Sequence, residues 1–255
     1  MLRKRIIFTL IYSDDFFNQS RNFRLQRVGN LYWLENNYKF ADISSSIDEL
    51  IILNVSRTFK DNLSFVDIVK KIVKNVFIPI CAGGGINSIN DAEYFFKNGA
   101  DKIIINSLFN KNPFEVEKII KKYGSQSVVA SVDYRLENDI PIIYVNNGQK
   151  RIDLNIYKYL EFIQSIGIGE LYLNSIDRDG TGFGFDFETI NKIKEHLNIP
   201  LIIAGGAGNE VHLLDGLLIK EVSAVATANL FNFVGDGLPL ARKKLISEKI
   251  NLAVW

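Results

Sequence analysis

Ile78-Pro-Ile-Cys-Ala-Gly-Gly-Gly85 and Ile199-Pro-Leu-Ile-Ile-Ala-Gly-Gly206 are one phrase written twice, with a single residue inserted in the second copy. Each is a short apolar run closed by glycines, the pattern of a buried strand that ends in a tight turn. The repetition goes further. Asn106-Ser-Leu-Phe-Asn110 matches Ala228-Asn-Leu-Phe-Asn232, and Ile47-Asp-Glu-Leu-Ile-Ile-Leu-Asn54 matches Ile168-Gly-Glu-Leu-Tyr-Leu-Asn-Ser175. The copies lie about half of the 255 residues apart, so the chain reads as a duplicated half.

Around these phrases, apolar runs rich in Ile and Val fall at 5–11, 49–55, 78–82, 102–106, 127–133, 170–176, 200–204 and 224–228. Stretches of helical period separate most of them, at 61–76, 88–98, 114–123, 154–167, 186–197 and 210–220. Eight β-then-α units whose strands are apolar on both faces predict an α/β protein. The expected architecture is a single (β/α)8 barrel of the TIM type, built from two duplicated half-barrels and spanning 1–255 as one domain. One irregular excursion is expected, a hairpin-like insert over 136–154 with Asn146-Asn-Gly148 as its turn.

Composition narrows the function. With 47% hydrophobic and 23% charged residues the chain can bury a sizeable core. Thirty Lys+Arg against 29 Asp+Glu leave a formal charge of +1, so no strong field favours nucleic acid or a membrane surface. The single cysteine, Cys81, excludes an intramolecular disulfide and a Cys-based zinc cluster and suits a reducing compartment, so a cytoplasmic protein is expected. The basic start, Met1 to Arg5, is followed by an apolar run and then Asp14-Asp15 without a small-residue cleavage site, which reads as a first strand. His196 and His212 lack ligand-spaced partners, so no metal and no cofactor is indicated. Phe8, Phe16, Phe17, Tyr32 and Trp33 read as packing residues rather than a binding surface.

Barrel chemistry is located at the C-terminal ends of the strands. There, Gly83-Gly-Gly-Ile86 and Gly205-Gly-Ala-Gly208 follow symmetry-related strands, and side-chain-free turns let backbone N–H groups approach a phosphate. Two such turns imply a ligand with a phosphate at each end. Asp133 ends the fifth strand and is placed for general acid or base work, or for a turn cap. Its counterpart in the first half is Ile11. At the opposite face the strands begin with Arg5, Glu49, Lys102 and Glu170, two bases and two acids that form either a structural ion-pair ring or a gate.

Met1-Leu-Arg-Lys-Arg-Ile-Ile, Ile47-Asp-Glu-Leu, Gly83-Gly-Gly-Ile86, Gly99-Ala-Asp-Lys-Ile103, Ser175-Ile-Asp-Arg-Asp-Gly-Thr181 and Gly205-Gly-Ala-Gly208 resemble the cyclase subunit (HisF) of imidazole glycerol phosphate synthase. That family binds a substrate with two phosphates, receives ammonia from a glutaminase subunit (HisH) and closes an imidazole ring. The resemblance makes Asp133 one of two catalytic aspartates, with the other falling on Ile11, and the family's loop lysine falling on Gln19. It implies one phosphate site at Gly84, Gly85, Asn106 and Ser107, and another at Asp179, Gly180, Gly205, Gly206, Ala228 and Asn229. Arg5, Glu49, Lys102 and Glu170 match the family's ammonia gate, and Asp101 and Gln126 match its glutaminase-docking face.

Ile11 has no proton to exchange, so one partner of the acid–base pair is missing. A chain that keeps the gate and loses that partner resembles a HisF-like branch associated with amidation of surface-polysaccharide sugars. The resemblance then implies a heterodimer with a HisH-like glutaminase, an ATP-dependent sugar amidotransferase as third partner, and a phosphorylated small-molecule ligand. Imidazole glycerol phosphate synthesis for histidine, and a silent subunit that only activates the glutaminase, are the alternatives.

Overall fold

A computed structural model describes residues 3–37, 45–57, 62–228 and 237–253, and its strands in chain order are β1 (Arg5–Ser13), β2 (Phe16–Arg21), β3 (Arg24–Gly29), β4 (Glu49–Asn54), β5 (Ile80–Gly83), β6 (Lys102–Ile105), β7 (Val128–Glu137), β8 (Ile140–Val145), β9 (Lys150–Ile152), β10 (Glu170–Ser175), β11 (Leu201–Ala204) and β12 (Val222–Thr227). Strands β1, β4, β5, β6, β7, β10, β11 and β12 pair in parallel in that order. The β12–β1 pairing, with Arg5 opposite Ala224, closes the barrel, which therefore has no free edge among these eight strands.

Closure gives each strand one face toward the barrel axis and one toward the helices, and the side chains alternate between them. In β1, Ile6, Phe8 and Leu10 join the large cluster shared with the helices, while Ile7 packs inside with Ile51, Cys81, Ile104, Val129, Tyr172 and Ile202. Cys81 is fully buried in that inner layer, and burial pushes its thiol well up, as for a small apolar core residue. Phe8 and Phe17 are core residues as expected, whereas Tyr32 is 75% exposed.

The outer helices are α1 (Leu31–Asn37), α2 (Asn62–Val73), α3 (Ile89–Lys97), α4 (Leu108–Lys111), α5 (Pro113–Tyr123), α6 (Ile156–Ser165), α7 (Phe187–Ile193), α8 (Glu210–Leu218) and α9 (Gly237–Ser247). Their starts follow local chemistry. Ser88, Asn155, Asp186 and Asn209 accept hydrogen bonds from the first-turn amides of α3, α6, α7 and α8, and Pro113 opens α5. The expected helix 186–197 changes at Lys194 into a 3-10 turn.

The expectation of one irregular excursion is corrected by the first half. Residues 16–29 form a second hairpin, β2–β3, so that both β1 and β7 continue past the barrel rim into antiparallel extensions. In the insert at 136–154, β7 turns first at Asn138-Asp139, and Asn146-Asn-Gly148 is the second turn, between β8 and β9. Asp14-Asp15, Asn22-Phe23 and Asn138-Asp139 all have positive φ, which the two-residue hairpin turn demands. Among the described residues no helix is long and apolar enough to cross a membrane.

Ile51, with no exposed surface, sits in the inner layer that all the parallel strands share. Ile51→Ala is expected to cost about 3 kcal/mol in urea unfolding, because a closed barrel cannot collapse onto the void. A loss under about 1 kcal/mol would contradict that packing.

Candidate functional site

Arg5, Glu49, Lys102 and Glu170 are the first residues of β1, β4, β6 and β10, so alternation aims all four inward at one end of the barrel. They form a closed square. Glu49 Oε2 accepts from Arg5 Nη1 at 2.7 Å and from Lys102 Nζ at 3.0 Å, and Glu170 Oε1 accepts from the same two nitrogens at 3.1 Å each. Burial pushes the Glu49 carboxyl up, and Lys102 and Arg5 oppose that shift. Glu49 Oε1 is buried without a hydrogen-bond partner. Asp101 and Gln126, both exposed, precede β6 and β7 and so lie at this same end.

At the other end the strand termini and the two hairpins enclose a cavity of about 750 Å³. Between the two ends lies the apolar inner layer, with Thr9 Oγ1 and Tyr172 OH 3.3 Å apart at the cavity floor. Asp133 and Ile11 both line the cavity, on symmetry-related strands. Asn174 Nδ2 donates to Asp133 Oδ1 at 3.3 Å and Asn106 Nδ2 to Oδ2 at 3.2 Å. Burial pushes the Asp133 carboxyl up to about 7 and the charge of Asp179 adds to the rise, while hydrogen bonds from Asn174 and Ser131 oppose it. A carboxyl poised there can give and take a proton at neutral pH. Ile11, 9% exposed, offers only hydrocarbon.

The candidate phosphate residues divide. Asp179, Gly180, Gly205, Gly206 and Ala228 line the cavity. Gly205 and Gly206 have φ of +88° and +108°, and a Cβ on Gly206 would stand 2.1 Å from the Gly184 carbonyl oxygen, so the turn admits no side chain. Gly84, Gly85, Asn106 and Ser107 are not among the residues that line the cavity, although Asn106 reaches Asp133. Ser107 Oγ accepts from the Asn146 amide at 3.2 Å, and Asn147 Nδ2 donates to the Val55 carbonyl at 3.0 Å. The β8–β9 tip thus covers that side. Asn229 lies outside the described residues. Gln19 lines the cavity on β2.

Sequence reading missed the β2–β3 hairpin as a wall of the site. Its tip lies on the loop after β10: the Asn22 amide donates to the Asp179 carbonyl at 2.9 Å, and the Phe23 amide to Asp179 Oδ2 at 3.0 Å. Burial pushes the Asp179 carboxyl up, against the hydrogen bonds from Ser20 and Phe23. Among the described residues no group of three His, Cys, Asp or Glu could hold a metal ion.

Because the native Asp133 carboxyl keeps its proton to about pH 7 and an unfolded one releases it near pH 4, the native state binds more protons between those values. Stability then falls as pH rises through that window. Asp133→Asn removes the effect, so its Tm should rise relative to the native chain between pH 4 and pH 8, as the difference in unfolding free energy changes by on the order of 4 kcal/mol at most. Parallel Tm curves would disprove the raised value.

Residues 34–235 match the family described as "Histidine biosynthesis protein". The chain is 44% identical over 256 residues to a provisionally named imidazole glycerol phosphate synthase subunit hisF2 of Parasynechococcus marenigrum (strain WH8102), covering 100% of this chain and 95% of that one. It is 32% identical to the imidazole glycerol phosphate synthase subunit HisF of Hydrogenobaculum sp. (strain Y04AAS1), with 100% of both chains covered. It is 37% identical to the HisF of Chlorobium limicola (strain DSM 245 / NBRC 103803 / 6330) over 73% of this chain and 74% of that one. The chain belongs to the histidine biosynthesis protein family, as a HisF-like (β/α)8 barrel.

Proposed function

We propose that this barrel takes ammonia from a HisH-like glutaminase docked at the ion-ring end, around Asp101 and Gln126, and delivers it through the barrel axis to a phosphorylated acceptor. The acceptor in this reading is an activated sugar of polysaccharide synthesis, amidated with an ATP-dependent partner, rather than the histidine-pathway intermediate. The observation that carries it is Ile11. Ring closure needs proton transfer on both sides of the reacting atoms, and at the two symmetry-related strand ends Asp133 offers a proton-exchanging group while Ile11 offers none. The ion ring, the apolar inner layer and the cavity beyond it support a route for a small neutral molecule. The phosphate assignment to Gly205, Gly206 and their neighbours is part of the same proposal, supported by two positive-φ glycines facing the cavity.

The second reading, the cyclase subunit of imidazole glycerol phosphate synthase, is favoured by the names of the relatives and by the placement of Asp133. Turnover separates the two. With ammonia and the bisphosphorylated histidine intermediate, Ile11→Asp is expected to exceed the native chain by about 10²–10⁴-fold, the usual worth of a positioned acid–base group. Full-rate turnover by the native chain would establish the cyclase instead. In a reconstituted glutaminase complex, Lys102→Gln opens one corner of the ring. Product formed per glutamine hydrolysed should then fall below that of the native complex, and an unchanged ratio would remove the channel from the proposal.

A further inference from the structure

Arg21 and Arg24 stand directly opposite each other across the β2–β3 hairpin, on either side of the Asn22-Phe23 turn. Like charges so placed repel. Among the described residues neither has a carboxylate within ion-pair distance, whereas Arg5, Arg135, Arg151 and Arg242 each have one. A third guanidinium joins them. Arg57, after β4, donates from Nη2 to the Phe23 carbonyl at 2.5 Å and is likewise without an acid partner among the described residues. All three residues line the cavity. Asp179, the acid bound to this tip, spends Oδ2 on the Ser20 hydroxyl and the Phe23 amide.

Three unpaired guanidinium groups from two segments, facing one cavity, are a charge pattern that an anion completes. The planar guanidinium fork matches carboxylate and phosphate oxygens in pairs. Glycine turns present only backbone dipoles, so among the described residues these arginines supply the formal positive charge of the cavity lining. The other hairpin carries Asn146 and Asn147 at its tip, which makes the positive charge one-sided.

We propose that Arg21, Arg24 and Arg57 form an anion subsite at the cavity mouth, and that the ligand carries an acidic group there, carboxylate or phosphate, in addition to any phosphate at the glycine turns. The inference rests on the cavity being the ligand site, as under the proposed function. It narrows the ligand to one with negative charge on the β2–β3 side.

The test is calorimetric titration of the purified chain with inorganic pyrophosphate and, separately, tricarballylate, in the native, Arg24→Gln and Arg57→Gln proteins. Each variant is expected to weaken binding about tenfold, as for loss of one charge-assisted contact. Weakening confined to pyrophosphate assigns a phosphate, and weakening confined to tricarballylate assigns a carboxylate. Affinities unchanged in both variants, or no binding of either probe to the native chain, overturn the subsite. Crystals soaked in selenate separate this inference from the phosphate reading of the turns. Selenium at the arginines with empty glycine turns keeps the subsite and removes the turns, and the converse removes the subsite alone. Selenium at neither place removes both.

Discussion

Closure of a parallel barrel forces every second residue of eight strands onto one axis, and the rest of the molecule follows from that constraint. What each strand places at its first, middle and last inward positions becomes a layer. Here the layers are a ring of alternating charges, a belt of Ile, Val, Cys and Ala, and a polar mouth with Asp133, Ser131 and Asn174. A one-residue register slip in any strand would move its charge from the ring to the helix-facing side. The ring is therefore a fixed consequence of register, and its four ion pairs report that the register is shared.

Energetically the ring is a weak stabiliser for its size. Each cation bridges both carboxylates, yet the charges are largely removed from water, and a hydrophobic plug of equal volume would often be as stable or more so. Glu49 holds one oxygen unpartnered and has its carboxyl pushed up, so the arrangement is not minimised for stability. Such a layer is a polar end of the barrel rather than its structural bolt. The bolt lies elsewhere: Arg242 on α9 pairs with Asp48 at 2.9 Å, and Asp48 also accepts from the Ile6 amide, tying the last helix to the start of the barrel.

The parts legible in sequence are those governed by period and burial. Parallel strands are covered on both faces, so they appear as apolar runs, and the duplicated Gly-Gly phrases fix where two of the strand ends lie. The hairpins were less legible because their strands rise into solvent above the barrel. Residues 24–29, Arg-Leu-Gln-Arg-Val-Gly, carry little burial, and the Asn22-Phe23 turn lacks the glycine that usually announces a two-residue turn. The position of Asp133 could be read, but its raised pKa could not, because burial by neighbours is set in three dimensions. The meeting of Arg57 with Arg21 and Arg24 is likewise tertiary, joining segments that no local pattern connects.

The two halves are crossed over at the mouth. The hairpin of the first half rests on Asp179 in the second, and the hairpin of the second half rests on Ser107 and Val55 in the first. The tips come together at Phe23 and Gly148, where even an added Cβ would sit 2.9 Å from the ring. A duplicated barrel with swapped covers is symmetric in its walls, so any direction to its chemistry must come from side chains. That direction is present twice. Asp133 faces Ile11 across the pseudo-two-fold, and arginines on one hairpin face asparagines on the other. Both differences are one-sided, with the buried Asp133 carboxyl on the β7 side and positive charge on the β2–β3 side. Under the proposed anion subsite, a ligand held between them would be oriented end to end, with its acidic group away from Asp133, so that the carboxyl would have no added neighbouring anion to push its pKa higher still.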